Sequence, residues 1–173
     1  MNTLQSLRAP LLVLLALAGV GAASLVWTAQ ELPANVASHF DAQGQPNGWM
    51  TRTSYLKTMA AIGLLLPLLL VGIGLLTALL PASSINLPHR DYWLAPERRD
   101  ETVRYMARHM AWLACITMAL FIALNYLLVE GNRATPPRLS NAIWLLLVAF
   151  LAGVVAWIGV LVRRFSRMPP APQ

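Results

Sequence analysis

Four stretches of the chain contain no charged side chain: 10–28, 58–80, 110–129 and 142–162. They are 19, 23, 20 and 21 residues long. At about 1.5 Å of rise per residue, each helix would come close to the ~30 Å hydrocarbon thickness of a bilayer. The pattern predicts four transmembrane helices. Polar intervals at 29–57, 81–109 and 130–141 are the connecting loops, and 168–173, Met-Pro-Pro-Ala-Pro-Gln, is by composition a disordered tail. The expected fold class is an all-α membrane protein, one integral domain over 1–173 with a small ordered loop outside the bilayer.

The first run admits a second reading. Arg8 followed by the apolar stretch 11–18 and the small residues Gly21, Ala22 and Ala23 resembles a cleaved secretory signal. The apolar stretch continues through Leu25 and Val26 to the interfacial aromatic Trp27, which favours a retained signal-anchor helix.

The interval 29–57 has the greatest chemical variety. Gly44 and Pro46-Asn47-Gly48 are turn signals flanked by 36–40 and 49–53. A small hairpin or folded loop is expected, with Phe40 and Trp49 on the membrane surface or against the loop at 131–141. In the central interval Pro96 suits a first helical turn, and Glu97, Asp100 and Glu101 suit its positive end. A helix should therefore start near Ala95 and run into the third span. Small residues four apart, Ala18/Ala22, Gly19/Ala23, Gly74/Ala78 and Ala149/Gly153, predict close backbone approach inside the bundle.

Composition excludes a water-soluble fold of this size. The chain is 57% apolar and 12% charged, against roughly 45–50% and about 25% in soluble domains. Nine of the thirteen Lys and Arg residues fall before the first run, in 81–109 or after the fourth, and four fall in 29–57 and 130–141. Positive charge accumulates on the cytoplasmic side, so both termini and the central loop are expected there. Trp27, Tyr55, Tyr126 and Trp144 then form an outer aromatic belt, and Tyr92, Trp93, Tyr105 and Trp112 an inner one. The net charge of +6 reads as topology determination and attraction to anionic headgroups rather than nucleic-acid binding. Cys115 is the single cysteine, which leaves no intramolecular disulfide and no cysteine-based metal site.

No Asp, Glu, Lys or Arg lies inside a run, which weighs against a proton-coupled carrier or ion pump. His39 and Asp41 are two apart, so an extended strand would put both on one face. They could form half a metal site, or a base with its orienting carboxylate. Zinc takes three or four protein ligands, and Glu31 and Glu130 are the only further carboxylates in the outward loops. The structural alternative is that Asp41 accepts backbone N–H bonds in a turn while His39 satisfies a loop hydrogen bond. No nucleophile elbow, phosphate-cradling glycine loop or His-Glu-x-x-His motif occurs. Neither enzymatic activity nor a metal or other cofactor is expected.

Leu32-Pro33, Val36, His39-Phe40-Asp41, Gly44, Pro46 and Gly48-Trp49 resemble the signature of domain-of-unknown-function family 1648, the N-terminal part of SdpI-like membrane proteins. The stretch Asp91-Tyr92-Trp93-Leu94-Ala95-Pro96-Glu97-Arg98-Arg99 is similar to a cytoplasmic segment of many members. The resemblance implies a multi-pass protein of the bacterial cytoplasmic (inner) membrane. It also implies an affinity with immunity proteins that resist a secreted killing peptide and can sequester a repressor at the membrane.

The function expected is therefore a non-enzymatic binding or immunity and signalling protein using its first outer loop. The candidate ligand-binding or structural loop residues are His39, Phe40, Asp41, Gly44, Pro46, Gly48 and Trp49. A candidate cytoplasmic motif comprises Asp91, Tyr92, Trp93, Pro96, Glu97, Arg98 and Arg99. The alternatives are a membrane-embedded, metal-dependent enzyme using His39 and Asp41, and a subunit or scaffold of a membrane complex. Expected partners are the lipid bilayer, a peptide or protein ligand at the outer loop, and a membrane protein or second copy. No nucleic acid is expected.

Overall fold

The computed structural model describes residues 3–167, and the tail expected at 168–173 lies outside them. The apolar runs form α1 (Thr3–Glu31), α2 (Arg52–Leu76), α4 (Pro96–Arg133) and α5 (Ala142–Phe165), with a single-turn α3 (Arg90–Trp93) between α2 and α4. All four long helices are long and apolar enough to cross a membrane. The chain is a multi-pass membrane protein with one small sheet, the antiparallel pair β1 (Asn35–Phe40) and β2 (Pro46–Thr51).

α1, α4 and α5 outrun their charge-free stretches, because Arg and Lys can extend their stems along apolar surface while holding the charge in water. α2 starts before its stretch but ends inside it, at Leu76, where the 3-10 turn Thr77–Leu79 takes over. α2 takes up Arg52 to Lys57 of the expected loop. Its start is set by Thr51, whose hydroxyl accepts from the Ser54 N–H. α4 begins at Pro96 and runs unbroken through the third apolar stretch.

The bundle is organised around α4. Ala107, Ala111, Ala114, Cys115, Met118, Asn125, Leu128, Val129 and Asn132 are buried at intervals of mostly three or four, a stripe along one face. α1 and α2 both pack on this stripe, while α5 packs chiefly on α4, and Phe165 is its one buried residue among those described. Gly74 shows the close approach expected of small residues. A Cβ there would lie 2.9 Å from the Met110 Cβ and 3.1 Å from the Ala107 Cα. At Gly19 and Gly153 an added Cβ would meet nothing within 4 Å, so the expectation fails at those positions. Those small residues face away from the bundle.

A polar node ties three helices together inside this apolar setting. Asn125, 2% exposed, donates through Nδ2 to Ser24 Oγ at 2.8 Å and Thr28 Oγ1 at 2.7 Å of α1. Its Oδ1 accepts from the Tyr55 hydroxyl of α2 at 3.0 Å. Polar groups at this depth have no water to turn to, so the partners depend on one another. We predict that Asn125→Leu lowers stability by about 1–2 kcal/mol, the range of interhelical hydrogen bonds in membranes, and more than Tyr55→Phe does. Unfolding titrations in mixed micelles measure the difference.

Candidate functional site

The hairpin sits on the end of the bundle where α1 and α4 finish and α2 and α5 begin. Its underside is apolar: Leu32, Val36, Tyr55, Leu128 and Val129 form a buried cluster, against which Phe40, Met50 and Leu139 pack. The pairing of β1 with β2 is irregular between Ala37 and Phe40. The irregularity breaks the alternation of a regular strand, so the neighbours Val36 and Ala37 are both buried while His39 is exposed.

A two-stranded sheet has two free edges, and α4 satisfies one of them with a side chain. Asn132, in its last turn, accepts the Ala37 N–H on Oδ1 at 2.8 Å. It donates from Nδ2 to the Ala37 carbonyl at 2.9 Å and to the Leu128 carbonyl at 2.9 Å. The planar amide thus pairs with Ala37 as the backbone of a third strand would. Asn132 is 7% exposed, and nothing in the family signature points to it. The signal was its spacing, since Asn125 and Asn132 lie seven residues apart on the same apolar stripe.

The turn lies at Asp41 to Gln45, around the expected signal Gly44, while Pro46-Asn47-Gly48 belong to β2. Asp41 Oδ1 accepts the N–H groups of Gln43 at 2.9 Å and Gln45 at 2.8 Å. Gly44 takes the left-handed conformation, φ 77°. Its N–H donates to the Asp41 carbonyl at 3.0 Å and its carbonyl accepts from Leu139 N–H at 3.0 Å. A Cβ at Gly44 would lie 2.5 Å from the Leu139 carbonyl oxygen, so both φ and space demand glycine. The hairpin tip is thereby bound to the loop before α5. The expected second strand at 49–53 also ends early, because Arg52 and Thr53 open α2.

The remaining loop residues separate into those that build the hairpin and those that do not. His39 lies across from Gly48, where a Cβ would come within 3.0 Å of its Cβ and Nδ1, and its Nδ1 is 3.0 Å from Ser38 Oγ. No hydrogen bond joins His39 to Asp41, whose carboxylate serves the turn. Glu31 and Glu130 converge on Arg133, at 3.5 and 2.9 Å. Among the described residues no three His, Cys, Asp or Glu side chains come together. Phe40 and Trp49 do not form a pair: Phe40 turns into the buried cluster and Trp49 remains 50% exposed.

The hairpin and the two helices that frame it fall largely within one stretch that a family model matches. Residues 13–71 match the model of a domain of unknown function, DUF1648. In this chain the DUF1648 segment runs from α1 through the hairpin to α2. No curated protein and no solved structure matches the chain. Of the signature residues in the DUF1648 segment, Leu32, Val36 and Phe40 fill the cluster, Asp41 and Gly44 make the turn, and Gly48 gives His39 room. Trp49 is the large side chain left over.

Beneath the hairpin, α1, α2 and α4 leave an apolar cavity of about 250 Å³, with Gly21, Ala22, Gly63 and Phe121 on its walls and Ser24 and Asn125 at one end. Ala22, Ala60 and Leu64 on its lining are exposed. The cavity is therefore a cleft open to the side of the bundle.

The second candidate motif lies at the opposite end and has structural duties. Trp93 Nε1 donates to the Phe165 carbonyl at 3.0 Å, and Thr102 Oγ1 to the Trp93 carbonyl at 2.8 Å. Arg99 reaches the Ala78 and Leu80 carbonyls at 3.1 and 2.8 Å, closing the turn that follows α2. Arg98 lies 4.1 Å over the Tyr92 ring. Pro96 opens α4, while Asp91 and Glu97 stay exposed. Nearby, His109 and Trp157 stack at 4.3 Å and exchange ring-to-carbonyl hydrogen bonds at 3.0 and 2.9 Å, joining α4 to α5.

Replacing Asn132 with Ala should cost about 1–3 kcal/mol, the penalty for leaving buried donors and acceptors unpaired. The expected signature is faster amide exchange at Ala37 and its β-strand neighbours, with helical circular dichroism unchanged.

Proposed function

We propose that this chain is a non-enzymatic binding protein of the bacterial cytoplasmic membrane that receives an amphipathic peptide on the hairpin face presenting Trp49. The observation that carries the reading is the exposure of Trp49 on a hairpin otherwise committed to its own docking. A half-exposed tryptophan at a membrane interface offers a large, stiff apolar surface with one N–H donor. Because Asn132 and Leu139 hold the hairpin in place, little ordering has to accompany binding. The lateral cleft under the hairpin offers apolar volume for a side chain of the same ligand. Binding of this kind would intercept a membrane-active peptide before it inserts, which is an immunity-type role.

The arginine-rich end supports an outward-facing hairpin. In a Cys115→Ser background, Gln45→Cys should react with an impermeant thiol reagent in intact cells, and Asp91→Cys only after the membrane is opened. The reverse pattern would overturn the orientation.

Function is tested by expressing wild type, Trp49→Ala and His39→Ala at equal membrane abundance in a sensitive bacterium challenged with membrane-active peptides. Loss of an aromatic anchor worth about 2 kcal/mol corresponds to roughly thirtyfold weaker binding. Trp49→Ala should lose protection to about that extent at an unchanged melting temperature, and His39→Ala should lose less. Parallel loss of melting temperature and protection in Trp49→Ala would assign the side chain to folding and remove the reading. A second reading, a scaffold for a partner helix, draws on α5, where Gly153 faces open space and Ala149 is exposed. A stoichiometric partner lost on Gly153→Leu would favour it.

A further inference from the structure

At the end of the bundle away from the hairpin, a cavity of about 490 Å³ opens between the first turns of α1 and the part of α4 that precedes its apolar stretch. α1 and α4 both run from this end toward the hairpin, so their residues descend in step. Gln5 and Ser6 on one wall stand with Arg108 on the other, and Pro10 and Trp112 follow one turn deeper. Both walls pass from polar to apolar in the same direction.

Arg108 is the charged group in this cavity, and its surroundings do not neutralise it. Arg90, Arg133 and Arg164 all have carboxylate partners, whereas among the described residues Arg108 has none within ion-pair distance. Its guanidinium lies 5.7 Å over the Tyr105 ring and is only partly exposed. A cation held in a half-buried pocket calls for an anion, and a guanidinium matches a phosphate with paired donors. His109, also on the lining, is fixed by Trp157 and shapes the wall. Trp112, 39% exposed, supplies an amphipathic surface at the depth where a glycerol backbone would meet its acyl chains.

We propose that this cavity is a binding site for an anionic phospholipid, with Arg108 holding the headgroup phosphate and Trp112 lying against the start of the acyl chains. Charge complementarity selects the anion, and the shared polar-to-apolar descent of the two walls selects a lipid over a soluble phosphate. The site is independent of the peptide-binding reading at the hairpin end.

The test uses the full chain in micelles of neutral detergent, titrated with phosphatidylglycerol, phosphatidylcholine or inorganic phosphate and read by thermal stability. Wild type should be stabilised by phosphatidylglycerol, and not by phosphatidylcholine or phosphate at the same concentration. Arg108→Gln should weaken the phosphatidylglycerol response about tenfold more than Arg163→Gln, the loss expected for one charge-assisted hydrogen-bonded contact. Arg163 is exposed on α5 and removes the same charge from the same end. Gln5→Trp, which fills the cavity from the α1 wall with every arginine intact, should also abolish the response. It serves as the deciding variant if Arg108→Gln fails to fold. Equal losses in Arg108→Gln and Arg163→Gln would reduce the effect to diffuse attraction, and either an unaffected Gln5→Trp or stabilisation by phosphate alone would also overturn the proposal.

Discussion

The hairpin end of the molecule depends on one side-chain amide. Backbone groups buried away from water, as those of Ala37 are, cannot be left unpaired without cost, and an isolated two-stranded ribbon is marginal even in water. Asn132 resolves both difficulties by engaging both the N–H and the carbonyl of Ala37 while rooted in the last turn of a long helix. Once β1 is fixed, Val36 and Phe40 are held over Leu128 and Val129, and the turn at Asp41 to Gln45 comes within reach of Leu139. The outward position of Trp49 is a by-product of that docking.

What could be read from the sequence follows from which forces are local. Span number and approximate position were legible, because hydrophobic length is a property of contiguous residues. The start of α4 at Pro96 was legible for the same reason, since proline and the acidic residues after it act within one turn. Of the two turn signals, Gly44 marked the turn and Pro46-Asn47-Gly48, an equally strong local signal, went into β2. Asp41 and Gly44 won through two side-chain bonds and a left-handed φ that also satisfies Leu139, a residue far away in sequence. Asn132 was missed because its partner is in another element altogether. The small residues Gly19 and Gly153 misled in the other direction, since four-residue spacing permits close approach without requiring it.

The two ends of the bundle weight their chemistry differently. At the hairpin end the amides of Asn125 and Asn132 join the elements, alongside the Arg133–Glu31 pair and the stacked Trp27 and Tyr126. At the other end, arginines and aromatic rings do so: Arg164 lies 4.1 Å over Tyr105 while pairing with Glu101, and Trp93 meets Phe165 edge-on. The candidate cytoplasmic motif fits this second pattern, with Trp93, Arg98 and Arg99 each occupied in joining neighbouring elements. Arg108 is the cation on that end of α4 that lines a cavity.

The clamp also has a place in time. Ala37 and Asn132 are 95 residues apart, and the matched DUF1648 segment ends at residue 71. As the chain is made from its N-terminus, α1, the hairpin and α2 are all complete before the residue that fixes them exists. The matched segment is therefore synthesised before the side chain that pairs its β1 edge, and that edge is satisfied only by a helix from outside the segment.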